Sequence, residues 1–253
     1  KVNANLEVWN DILKVTSYFH TNPNPNLYIR ELPIKVHTKF IERNKTILRE
    51  LLDIILIDSL NKAEKKHFES RFNLRYNEPL IRFRLLDSKI AQNFFSGLDD
   101  ITIRISDFSK LDLPNKKVVI VENLINLLTL PSIPNTMAIF GQGFKVLTLK
   151  NIEWLKECKI YYWGDLDAQG FEILSGFRSH YHKTESLMMD KATFDMFYED
   201  DLETKSKTET LLHLTEKERD MHQLLFKNKW RLEQEKIPVD YTLSQLKKLT
   251  KTA

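Results

Sequence analysis

Asp165 and Asp167 stand either side of Leu166, directly after Ile160-Tyr-Tyr-Trp163 and Gly164. In extended backbone, residues i and i+2 point to the same side, so both carboxylates leave the end of a strand on one face. Two carboxylates held side by side repel unless a proton or a cation joins them. Ligands that are all oxygen favour a hard cation such as Mg²⁺. The plainer reading is a polar loop after a strand, with an aspartate capping the next helix. Glu122 sits in the same way at the end of Val118-Val-Ile-Val121, and Asp190 at the end of Thr184–Met189. Taken alone, Glu122 reads as a cap or a surface residue.

The surrounding pattern says how these groups are positioned. Val118–Val121 is apolar at every position, as expected of a strand buried on both faces. Ile160–Trp163 is β-branched and aromatic, and Thr136–Phe140 is a third strand candidate. Helical segments separate these runs. They are Leu124–Leu130, Ile152–Cys158, and the stretch in which Phe171, Ile173, Leu174 and Phe177 recur after a turn allowed by Gly170. Strands alternating with helices imply a mostly parallel sheet, whose strand C-termini meet at one edge. Glu122, Asp165 and Asp167 therefore converge, and Asp190 is the more distant candidate. Gly141-Gln-Gly143 is too short for a phosphate loop and reads as a turn.

Thr215-Glu-Lys-Glu218 is a capping box opening a helix to about Lys229, a motif that local structure explains. Arg231-Leu-Glu-Gln-Glu235 is dense in charge and reads as an exposed helical turn or as something more. His180 and His182 lack the spacing and the cysteine pair of a zinc site.

Residues 1–112 read as a first domain and 113–253 as an α/β domain, joined near Pro114-Asn-Lys-Lys117. Leu6, Trp9, Ile12, Leu13 and Phe19 predict an opening helix. Leu27–Ile34 reads as extended. Thr38 is placed to cap a long helix carrying Ile41, Leu48, Leu52 and Ile55 on one face. A further helix over Lys62–Phe72 and strands at Leu80–Leu85 and Ile101–Ile105 complete the first domain. Helices followed by a small sheet suit a winged-helix module. Lys39 and Arg43 are one turn apart and able to reach phosphates, or else belong to a solvated helix face.

The 253 residues, 42% hydrophobic and 29% charged, are ordinary for a globular protein. One cysteine, Cys158, excludes an internal disulfide and suits a reducing cytoplasm. No apolar run is long enough to span a membrane. The net charge of +3 is uneven: residues 1–110 hold 18 Lys/Arg against 14 Asp/Glu, a balance of +4. A basic first half beside a carboxylate-bearing second half suits a polyanion held near a metal. The chain begins at Lys1 rather than Met, which suggests a piece of a longer protein.

A strand ending in Glu followed by a strand ending in Asp-x-Asp is the pattern of the Toprim domain. More specifically, the chain resembles the JetD family, the nuclease subunits of bacterial Wadjet plasmid-defence systems. The matching segments are Tyr28-Ile-Arg-Glu-Leu32, His37-Thr-Lys-Phe-Ile-Glu42, Val121-Glu-Asn123, Phe140-Gly-Gln-Gly-Phe144, Tyr162-Trp-Gly-Asp-Leu-Asp167 with Gly170-Phe171, Leu187-Met-Met-Asp190 and Leu232-Glu-Gln-Glu235. Met188 stands where a second leucine is expected. The resemblance implies a winged-helix-like domain before a Toprim domain, as in the cleaving subunit of type IIB topoisomerases, and a longer N-terminal part. It implies Glu122, Asp165 and Asp167 as the catalytic, metal-binding set for Mg²⁺ or Mn²⁺. Asp190, at a strand end, and Glu233 and Glu235, in the charge-dense segment, are additional candidates. The resemblance also implies double-stranded DNA as substrate, a homodimer, and SMC-like partner subunits. Two other readings stay open: a topoisomerase-like transesterase with a tyrosine nucleophile, for which Tyr18, Tyr28 and Tyr76 are available, and a non-catalytic DNA-binding assembly subunit.

Overall fold

The computed structural model describes residues 8–62, 67–114, 117–201, 206 and 208–251, and its chain divides into the units Lys1–Asn77 and Glu78–Ala253. In the first unit α1 (Trp9–Thr21) turns Ile12, Val15 and Phe19 inward at helical spacing. It packs on α3 (Lys45–Ile55), which follows α2 (Thr38–Arg43). Leu48 and Leu52 of α3 join them with Ile41, and α4 (Phe68–Arg71) adds Phe68.

The long helix expected from Thr38 is two helices. The Asn44 side chain donates to the Phe40 carbonyl at 2.8 Å, a local bond that competes with helix continuation. The cap is His37, whose Nδ1 accepts the Lys39 N–H, rather than Thr38. The extended reading of 27–34 is replaced by a 3-10 turn, Ile29–Glu31, where the Tyr28 N–H donates to the Glu31 carboxylate at 2.8 Å. Leu6 and residues 63–66, parts of two expected helices, lie outside the described residues.

In the second unit, β1 (Leu80–Leu85), α5 (Ser88–Phe95), β2 (Asp100–Arg104) and α6 (Ile105–Phe108) come first. They lead into β3 (Lys117–Val121), α7 (Leu124–Thr129) and β4 (Thr136–Phe140). A 3-10 stretch, Glu153–Glu157, stands where a helix over 152–158 was expected, and another, Gly143–Asn151, precedes it. Then come β5 (Lys159–Trp163), α8 (Ala168–Arg178), β6 (Glu185–Ser186), α9 (Lys191–Phe197), α10 (Glu216–Asn228) and α11 (Val239–Lys251).

The six strands form one sheet in the order β2-β1-β4-β3-β5-β6. β3 runs parallel to both neighbours, and Val118 to Val121 are fully buried between covering layers. This is the α/β, mostly parallel, Toprim-like sheet that the sequence predicts. A helical unit does precede it, but the boundary falls at Asn77/Glu78 and not at 112/113. The strands expected at 80–85 and 101–105 as a small sheet of the first domain pair with each other as β1 and β2, and β1 also pairs antiparallel with β4, which places both in the sheet of the second unit. Moving the boundary leaves the basic balance intact: residues 1–77 hold 13 Lys/Arg and 9 Asp/Glu, again +4. The wet face expected for β1 is present, with Arg82 clasping Asp100 through two hydrogen bonds of 2.6 and 2.9 Å.

The strand expected over 184–189 is only Glu185–Ser186, because the chain turns at Met188, which has φ +55°. The buried Met189 then reaches back, its sulfur 3.4 Å from the Gly164 N–H.

Candidate metal centre

β3 and β5 lie side by side in register, with Val121 opposite Trp163. The residues that follow, Glu122 on one strand and Gly164 on the other, therefore leave the sheet together, and the Glu122 N–H still donates to the Trp163 carbonyl at 3.2 Å. Gly164 is needed here for lack of a side chain: a Cβ would stand 2.5 Å from Glu122 Oε1 and 2.9 Å from the Tyr162 ring. Beyond it Leu166 is buried while Asp165 and Asp167 face a cavity of about 40 Å³, which Glu122, Gln169, Gly170, Ile173 and Arg231 also line.

Asp167 is both things that the sequence allowed. Its Oδ1 caps α8, accepting the Gly170 N–H at 2.6 Å, and its carboxylate faces the cluster. Gly170 lies within the first turn of α8 and makes no sharp turn. Its role is close approach, since a Cβ there would come within 2.2 Å of the Asp165 carbonyl oxygen.

The segment after α10 also reaches the cluster, and of its residues the sequence named Glu233 and Glu235 but not Arg231 or Gln234. Leu166 and Leu232 exchange backbone hydrogen bonds of 2.9 and 3.0 Å. This brings the Arg231 guanidinium to 3.2 Å from Asp165 and 3.7 Å from Asp167. Glu233, an additional candidate, pairs with Arg231 at 2.9 Å, and Glu235 accepts from the Asn123 side chain at 2.5 Å. Both belong to the surroundings of the cluster. Asp190 is exposed, caps α9 by accepting the Thr193 N–H at 2.8 Å, and lines no part of the cavity.

The electrostatics record a shortage of positive charge. Burial first, and then the charges of Asp165 and Asp167, push the Glu122 carboxyl up to about 8, against the opposing pull of the Tyr162 hydroxyl that donates to it. Burial likewise raises Asp167; the Gly170 N–H works against it and the Asp165 charge adds to it. Tyr162 is wholly buried, and its phenol is held well above its ordinary value by burial and by Glu122. Such a set, oxygen donors only and short of cations, fits a hard divalent ion in kind. The side chains are not gathered for one: among the described residues no three His, Cys, Asp or Glu groups surround a common point. The Arg231 guanidinium lies against the two aspartates, and the Tyr162 hydroxyl donates to Glu122.

Cavity size does not pick out this site. A larger, mostly apolar cavity of about 410 Å³ lies at the opposite end of β5, lined by Cys158, His180, Tyr181 and Lys183 among others. Lys39 and Arg43 are exposed on α2 in the first unit. No helix among the described residues is long and apolar enough to cross a membrane.

No curated protein matches the chain. A family described as an uncharacterized protein N-terminal region conserved in bacteria matches residues 1–53, ending within α3. The family described as Wadjet protein JetD, C-terminal, matches residues 73–246, which takes in nearly all of the second unit and every residue of the acidic cluster. The chain belongs to the JetD family of Wadjet proteins.

Proposed function

We propose that this chain is the DNA-cleaving subunit of its Wadjet system, a metal-dependent endonuclease with a Toprim site at Glu122, Asp165 and Asp167. The observation that carries the reading is the paired exit of β3 and β5, which delivers the three carboxylates to one cavity. Mg²⁺ or Mn²⁺ held there would neutralise phosphate charge and supply an activated water. Asp165 and Asp167 would hold such an ion. Glu122 completes the set, as a third ligand or as the base that takes the water's proton. Exposed cations of the first unit, Lys39 and Arg43 among them, track the DNA backbone without reading sequence. Cutting both strands requires two such sites, so the working form is a homodimer, assembled with the SMC-like subunits of the system.

Hydrolysis distinguishes this reading from a tyrosine transesterase. A phenol with its ordinary pKa near 10 needs strong activation to attack. Tyr162, the tyrosine in contact with the cluster, is buried and held still higher. Plasmid cut in Mn²⁺ and quenched in denaturant is expected to carry no covalently attached protein, and Tyr28→Phe to cut at the parent rate. Protein-linked DNA that disappears in Tyr28→Phe would overturn hydrolysis.

The DNA contact has its own test. Replacing Lys39 and Arg43 together by Glu should weaken binding to unrelated duplexes equally. It should also reduce the slope of log affinity against log salt by about 2. An unchanged slope would assign these residues to a solvated helix face.

A further inference from the structure

Gln234 is 1% exposed, and every polar atom of its side chain is used. Its Nε2 donates to the Trp163 carbonyl at 2.5 Å, at the end of β5. Its Oε1 accepts the Asn123 N–H at 3.1 Å, immediately after Glu122, and the Asn126 side-chain amide at 3.3 Å. Its own backbone N–H donates to Asp165 Oδ1 at 3.0 Å. One residue thus bonds the chain that leaves β3 with Glu122, the chain that leaves β5 with Asp165, and the Asp165 carboxylate itself. It is fixed in place from both sides, by the Leu166–Leu232 bridge before it and by the buried Ile237 after it.

We propose that Gln234 is a positioning residue: it sets the separation of the Glu122 and Asp165 segments and the orientation of the Asp165 carboxylate, and so tunes the affinity of the cluster for a divalent cation. The inference rests on the metal reading of the preceding subsection. A primary amide is required because one end must donate to a carbonyl while the other accepts from an N–H. Glutamate would turn a carboxylate oxygen towards the Trp163 carbonyl. Asparagine is one methylene too short to span both segments. Outer hydrogen-bond partners of metal ligands commonly change metal affinity 10- to 100-fold.

The test is Mn²⁺ binding to the full chain without DNA, by titration calorimetry, beside thermal melting. The parent chain should show a saturable Mn²⁺ site that Asp165→Asn with Asp167→Asn removes. Absence of that site contradicts the metal reading, and this inference falls with it. Given the site, Gln234→Met should weaken Mn²⁺ binding by about 10- to 100-fold. Thr215→Ala, which breaks the capping box of α10, should lower the melting temperature and leave Mn²⁺ affinity at the parent value. Should the methionine variant fail to fold, Gln234→Asn takes its place with the same expectation. Parent-like Mn²⁺ affinity in a folded Gln234 variant that melts early, as Thr215→Ala does, would make Gln234 a staple of the fold alone and overturn the proposal.

Discussion

Asp165→Asn combined with Asp167→Asn is expected to abolish metal-dependent DNA nicking, by about a thousandfold or more, in a chain that remains folded. The loss corresponds to about 4 kcal/mol of transition-state stabilisation, the scale on which a metal neutralises phosphate charge. Asparagine is the informative replacement. Asp167 caps α8 through Oδ1, and asparagine caps as well as aspartate, whereas alanine costs about 1 kcal/mol at such a position. Asp165 Oδ1 accepts the Gln234 N–H, a bond that an asparagine oxygen retains. The substitution therefore removes two negative charges while leaving two local hydrogen bonds in place. Nicking assays with and without Mg²⁺ or Mn²⁺, beside a melting curve, check the result. Parent-like nicking by the double variant would sink the assignment.

The second large effect concerns stability. Arg178 and Glu218 are both 7% exposed and form a two-bond ion pair at 2.6 and 2.9 Å. Arg178 also donates to the carbonyls of Thr184 and His213, and Glu218 also accepts from the Ser186 hydroxyl and the Thr215 N–H. The pair ties the end of α8 to β6 and to the start of α10. Burial alone would push the Glu218 carboxyl up, but Arg178, Ser186 and Thr215 outweigh it and hold it down at about 2, from an ordinary 4.5. A carboxylate depressed in the folded state adds stability that is present above the unfolded value and lost as pH falls. The window therefore runs from about pH 4.5 down to about 2, and the amount is about 3 kcal/mol. Arg178→Ala leaves Glu218 buried without its partner and is expected to cost about 3–5 kcal/mol at pH 7. Urea unfolding at pH 7 and pH 3 measures both effects. A loss under 1 kcal/mol in Arg178→Ala, or a parent chain equally stable at the two pH values, would contradict the ledger for this pair.

Much of the site was legible because its parts are local. β3, β4 and β5 announce themselves as short apolar runs buried on both faces, and their bounds are met to within a residue. A carboxylate just past such a run can only emerge at the sheet edge, which is why Glu122, Asp165 and Asp167 could be brought together on paper. What escaped depends on long-range pairing. Arg231 and Gln234 meet Asp165 across 66 and 69 residues, and the density of charge at 231–235 and the matching segment Leu232–Glu235 drew notice to the stretch without giving either residue a role. Glu218 was fully explained as half of a capping box, and it is one. Nothing local shows that the same carboxylate also receives Arg178. The boundary was misplaced because β1 and β2 alternate as any wet-faced hairpin does, and alternation does not say which sheet a strand joins. Met188 shortened a predicted strand by taking a left-handed conformation that sequence pattern does not disclose in a non-glycine residue.

The most direct measurement is a crystal of this chain soaked in Mn²⁺ and recorded at the manganese absorption edge. The expected result is an anomalous peak between Glu122 and the Asp165/Asp167 pair, with carboxylate oxygens at about 2.0–2.3 Å and the Arg231 guanidinium displaced from the two aspartates. Manganese bound only elsewhere, with Arg231 still seated 3.2 Å from Asp165, would contradict the metal centre.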